Sequence, residues 1–124
     1  MHKVLLIDDD KMVRESLAIV LEAEGYSVAM AGDGRIGLQQ AQSFVPDLVL
    51  TDIIMPNMEG IEFIVELRRT NGTLPIIAMS GGGRTGNIDF LRCAQRLGAT
   101  CVLHKPIEVD ELLRILKASL PPSE

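Results

Sequence analysis

Tryptophan is absent, and 124 residues hold one tyrosine and three phenylalanines, so there is little aromatic surface on which nucleobases could stack. Basic charge is also short: 12 Lys and Arg stand against 17 Asp and Glu, a formal net charge of -5, leaving no basic stripe to neutralise a phosphate backbone. No direct nucleic-acid binding is expected. Cysteine is limited to Cys93 and Cys101, in contexts that read as a helix and a strand, which fits buried thiols in a reducing compartment better than a disulfide framework. Long hydrophobic runs are missing too. Met1-His2-Lys3 leads directly into Val4-Leu5-Leu6-Ile7, and Asp8 ends that run far short of a signal-peptide core or a membrane span. A cytoplasmic chain without membrane attachment is expected. There is no His/Cys set with zinc spacing, and the run Gly81 to Asn87 lacks the lysine of a nucleotide P-loop, so it reads as a mobile loop.

Apolar residues make up 47% and charged residues 23%, values of an ordinary globular chain, and the length suits one core. Residues 1–120 are read as one domain and 121–124 as a flexible tail or the start of a linker. Short apolar runs recur at Val4 to Ile7, Val28 to Ala31, Leu48 to Leu50, Ile76 to Met79 and Cys101 to Leu103, and these predict strands. Between and after them, Met12 to Glu24, Arg35 to Phe44, Ile61 to Thr70, Ile88 to Leu97 and Val109 to Leu120 are long enough for helices, each near a Gly, Asn or Pro stop. In the last, Val109, Leu112, Leu113, Leu116 and Leu120 recur at the spacing of one helix face. Strands alternating with helices imply an α/β fold, a doubly wound (βα)5 parallel sheet with helices on both faces. In such sheets ligands bind beyond the carboxyl ends of the strands.

At those ends stand Asp8-Asp9-Asp10, Asp52, Ser80 and Lys105-Pro106. Carboxylates a few ångströms apart repel, roughly 4 kcal/mol per unit pair at 4 Å in an effective dielectric near 20, so such a cluster calls for a cation. Hard oxygen donors suit Mg2+, or Mn2+, at a site that also engages a phosphate. Asp10, at the start of a predicted helix, reads as its cap rather than a metal ligand. His104 neighbours Lys105, but alternation along the strand turns it elsewhere.

Ile7-Asp8-Asp9, Asp52 followed by Met55-Pro56, Ser80-Gly81 and Lys105-Pro106, at these separations, resemble the receiver domain of bacterial two-component response regulators, over essentially the whole chain. The resemblance implies the flavodoxin-like strand order 2-1-3-4-5. It implies that Asp52 accepts a phosphoryl group from a histidine kinase or histidine phosphotransfer protein. Asp9, Asp52 and the Ile54 carbonyl would then be direct magnesium ligands, and Asp8 a ligand through water. Lys105 would pair with the phosphoryl oxygens, and Ser80 would hydrogen-bond one of them after transfer. Such a chain is not a conventional enzyme, although it catalyses its own phosphorylation and dephosphorylation. Its charge switch would act on an output domain or protein, or on a second copy of itself, through the face formed by Ile88 to Leu97, the fifth strand and the last helix. Ile115 lies off the core stripe of that helix. The sequence departs from the family at Val102, where receivers commonly carry Tyr or Phe.

Two other readings share these residues. Asp8-Asp9-Asp10 also fits the Asp-x-Asp motif of a haloacid-dehalogenase-like phosphatase with Asp8 as nucleophile, although Met12 stands where that motif has Thr or Val and Asp52 would have no work. A pseudo-receiver that binds partners without phosphorylation is the other, against which the complete acid, Ser and Lys set argues.

Overall fold

The computed structural model describes residues 2–53, 60–80, 96 and 98–120. Five strands, β1 (Lys3–Ile7), β2 (Ser27–Ala31), β3 (Leu48–Asp52), β4 (Ile76–Ser80) and β5 (Cys101–His104), form one sheet in the order β2-β1-β3-β4-β5. Every neighbouring pair is parallel. Helices α1 (Lys11–Ala23), α2 (Gly34–Phe44), α3 (Gly60–Thr70) and α4 (Val109–Ser119) accompany it. The doubly wound α/β fold and the strand order are those expected. The predicted helix from Ile88 to Leu97 lies, Arg96 apart, outside the described residues, as does the tail 121–124.

Side chains of a strand alternate between faces, and here both faces are apolar because both are covered. Leu5, Ile7, Val49, Ile76 and Ala78 enter one core with Phe63, Ile64 and Leu67 of α3. Val4, Leu6, Leu48, Leu50, Ile77 and Met79 enter the other with Leu17 and Leu21 of α1 and Leu112 and Leu116 of α4. The stripe expected on α4 is narrower than its spacing suggested. Leu112, Leu116 and Leu120 are buried, while Val109, in the first turn, is exposed. Ile115 is half-buried against the same core, so only part of it faces outward.

Three strands run further at their carboxyl ends than their apolar runs. Thr51 and Asp52 continue the β3 ladder opposite Ala78 and Met79, and Ser80 and His104 end β4 and β5 as a register pair. A polar residue ends a hydrophobic run without ending the hydrogen-bonded strand, and Thr51, Asp52 and Ser80 are all buried. The polar functions at these ends therefore sit on rigid sheet rather than in loops.

Candidate functional site

Parallel strands all point their carboxyl ends to one edge, so residues at or just after the ends of β1, β3, β4 and β5 are brought together. Asp8 follows β1 and is fully buried; Asp52 ends β3 and is 6% exposed; Asp9 is exposed at the rim. One carboxylate oxygen from each of Asp8, Asp9 and Asp52 can be chosen so that all lie within 4.8 Å of one another. Lys105, just after β5, puts its Nζ 2.7 Å from Asp8 Oδ2 and 3.2 Å from Asp52 Oδ2. Its own N–H donates to the Ser80 carbonyl at 2.7 Å, tying the end of β4 to the same cluster. Ser80 Oγ is buried and has no hydrogen-bond partner among the described residues. Ile54 lies outside the described residues, as do Met55-Pro56 and the run Gly81 to Asn87.

Electrostatics follow from burial. Burial pushes the Asp52 carboxyl above the usual range; the Lys105 ammonium opposes this, the Asp8 charge adds to it, and the net direction is up. For Lys105 burial acts downward, but the Asp8 hydrogen bond and the charges of Asp52 and Asp8 outweigh it, and the amine is held above its ordinary value. The two directions agree because one amine is shared between two carboxylates: Lys105 gains from both, while Asp52 has only part of its charge. Asp52 is fixed further by the Ile53 N–H, which donates to its Oδ1 at 2.8 Å, and by the Thr51 hydroxyl, which donates to its carbonyl at 2.9 Å.

Asp10 is a helix cap. Its Oδ1 accepts from the N–H groups of Met12 at 2.9 Å and Val13 at 3.3 Å, two of the donors that a helix start leaves unpaired. Asp10→Ala is expected to cost about 1 kcal/mol in urea unfolding, with Asp10→Ser retaining most of that stability. Mg2+ affinity should stay as in the parent, which would not hold if Asp10 were a ligand. His104 is exposed, and Val102 packs half-buried against the core that contains Leu5 and Phe63.

Three contributors escaped the sequence reading. Arg14 of α1 donates from its guanidinium to the Asp8 carbonyl at 2.8 Å. Thr51 supports the Asp52 backbone. Gly60 starts α3 in contact with the end of β3, its N–H donating to the Ile53 carbonyl at 2.5 Å. A glycine at a helix start is a weak hint of close approach; Arg14 left none, because its reach depends on how α1 lies over the sheet.

The donor set fits a hard divalent cation, since three carboxylates converge with no thiolate or imidazole among them. No described helix is long and apolar enough to cross a membrane.

A family profile described as the response regulator receiver domain matches residues 4–117. Response regulator MprA of Mycolicibacterium vanbaalenii is 38% identical over 122 residues, covering 95% of this chain and 50% of that protein. The chain thus spans about half the length of the curated relatives it matches. Among solved structures, the chemotaxis response regulator CheY4 of Vibrio cholerae superposes with a TM-score of 0.86 at 32% identity, over 97% of this chain and 99% of that one. The receiver domain of NtrX from Brucella abortus gives 0.88 at 29% identity, over 97% and 99%. Sheet order, family profile and relatives coincide over nearly all of the sequence, and the chain belongs to the response regulator receiver domains of bacterial two-component systems.

Proposed function

We propose that residues 1–120 act as one receiver unit that accepts a phosphoryl group on the Asp52 carboxylate from a phosphohistidine of a kinase or phosphotransfer protein. The observation that carries this reading is the meeting of Asp52 with Asp8, Asp9 and Lys105 at one sheet edge. In the transfer, a carboxylate oxygen of Asp52 attacks phosphorus. The phosphorus–nitrogen bond breaks, its electron pair leaves with the imidazole, and that nitrogen takes up a proton. Phosphoryl transfer is mainly positioning and charge stabilisation. The Ile53 N–H holds the acceptor in orientation and the Lys105 ammonium lies where negative charge would gather.

The carboxylates of Asp8, Asp9 and Asp52 are the residues we assign to magnesium (or manganese), with Asp8 acting through water and the Ile54 carbonyl as a further ligand. When bound, the metal would neutralise phosphoryl oxygens and screen the carboxylates from one another. Ser80, whose buried hydroxyl has no partner among the described residues, would take one phosphoryl oxygen and carry the signal into the residues that follow it. An apolar groove beside Lys105, lined by Met12, Val13, Leu17, Pro106 and Ile107, gives a donor protein purchase on the same edge. An output domain or protein, or a second copy of the chain, is assigned to the face of β5 and α4, with the cytoplasm as the compartment.

Incubation with acetyl phosphate and Mg2+, followed by mass mapping of the acyl phosphate, tests the reading. Label is expected on Asp52 and should be lost in Asp52→Asn. Label on Asp8 would instead support a dehalogenase-like phosphatase, and no label from any donor would leave a binding module.

A further inference from the structure

We infer that Arg14 is a positioning residue that aims Asp9 at the metal, and that the bare backbone of Gly32 makes the room it needs. This rests on the reading of the Asp52 edge as a magnesium-dependent acceptor.

Asp8 is held on four sides. Its N–H donates to the Ala31 carbonyl at 3.2 Å, Oδ1 accepts from the Asp10 N–H at 2.9 Å, Oδ2 meets Lys105, and its carbonyl accepts from Arg14. Asp9 differs. Its carboxylate makes no hydrogen bond or ion pair with the described residues, so the one thing that fixes where its Cα–Cβ bond starts out is the backbone that leads into it. That backbone is the Asp8–Asp9 peptide, whose carbonyl is the one Arg14 grips. A β-carbon at Gly32, beside the end of β2, would come within 3.2 Å of the same guanidinium nitrogen, tighter than ordinary contact. Gly32 therefore leaves a notch in which the half-buried Arg14 head rests.

Charge and position predict opposite signs, which makes the inference testable. By Coulomb's law alone, removing a cation from beside three carboxylates should tighten Mg2+ binding. If Arg14 acts by aiming Asp9, its removal should loosen binding, as loss of an outer-shell hydrogen bond to a metal ligand commonly does.

Mg2+ affinity would be measured by calorimetric titration of the full chain, with thermal unfolding of metal-free protein alongside. Arg14→Met, which keeps an apolar stem but no donor, is expected to weaken Mg2+ about tenfold. Arg14→Lys, which restores a donor, should recover most of that loss. Gly32→Ala should weaken binding about threefold in the parent and not at all in Arg14→Met, the non-additivity of two residues acting through one contact. Mg2+ binding by Arg14→Met as tight as or tighter than the parent overturns the inference. So does a lower melting temperature with unchanged Mg2+ affinity, the result of a purely structural staple. Should Arg14→Met not fold, Gly32→Ala decides: unchanged affinity refutes the role, and weakened affinity with an unchanged melting temperature supports it. Failure of the parent itself to bind Mg2+ or to be labelled at Asp52 would refute the functional reading and this inference with it. Failure confined to the variants refutes the inference alone.

Discussion

Lys105→Met is expected to destabilise the metal-free protein by about 3 kcal/mol at neutral pH, because it strips the shared cation from two buried carboxylates. Removing one partner of a buried pair typically costs about 3–5 kcal/mol; the lower end applies because the Lys105 side chain retains 19% exposure. The loss should depend on pH at both ends. Without the ammonium, the Asp52 carboxyl moves further up, since Lys105 is the main influence lowering it. A group whose folded pKa is raised holds its proton more tightly in the folded chain, so ionisation of Asp52 subtracts stability as pH rises through the carboxylate range. The deficit of the variant therefore narrows as pH falls and Asp52 takes its proton. It narrows again at alkaline pH, because the stability that Lys105 contributes is full below its unfolded pKa and disappears as pH rises through the raised folded value. Mg2+ should rescue the variant more than the parent, as the ion takes over the missing charge. Urea unfolding from acid to alkaline pH, with and without Mg2+, checks all of this, and a variant as stable as the parent at pH 7 without metal would contradict it. Phosphoryl acceptance should remain impaired after rescue, because the amine beside the acceptor is still missing.

Gly60→Ala is expected to lower stability by about 3 kcal/mol and the melting temperature by roughly 10 °C, against the helix preference of alanine. Propensity alone predicts a gain approaching 1 kcal/mol when glycine in a helix becomes alanine. Contact predicts the reverse. A β-carbon at position 60 would fall against the Asp52 carbonyl oxygen and lie 2.5 Å from Ile53 Cα and 2.6 Å from the Ile53 oxygen. These are backbone atoms at the end of a fully buried strand, and unlike a side chain they cannot rotate away. Relief requires α3 to lift or the end of β3 to shift, and either moves the acceptor relative to Asp8 and Lys105. Thermal unfolding together with the rate of acetyl phosphate labelling measures both consequences. A variant with raised stability and an unchanged rate would show that the helix start yields freely.

The same contrast between local preference and tertiary contact divides what could be read in the sequence from what could not. Asp8, Asp52, Ser80 and Lys105 were legible because in a sheet covered on both faces the apolar runs are continuous, and chemistry-bearing residues at or one past the end of such a run stand out. Asp10 was legible as a cap because an acid just before a helical stretch has a local purpose. Strand lengths were not legible, since Thr51 and Asp52 look like an end while their backbone continues the ladder. Val109 matched the α4 stripe by spacing, yet as the first residue of the helix it is left exposed, and spacing along the chain does not say where burial begins. Arg14 and Gly60 were hidden for a related reason: what each does depends on a distance between elements, and periodicity along the chain carries no information about that distance. The strand order itself came from family resemblance, because alternating strands and helices permit several arrangements.

The pairing of Asp8 with Lys105 joins positions 97 apart, across a sheet whose last strand is made after the other four. A nascent chain paused on the ribosome with its first four strands complete already carries both acids, but their amine is still inside the exit tunnel. Folding from the amino end thus meets its hardest electrostatic moment before the remedy arrives, and divalent ions of the surrounding solution would bridge that interval.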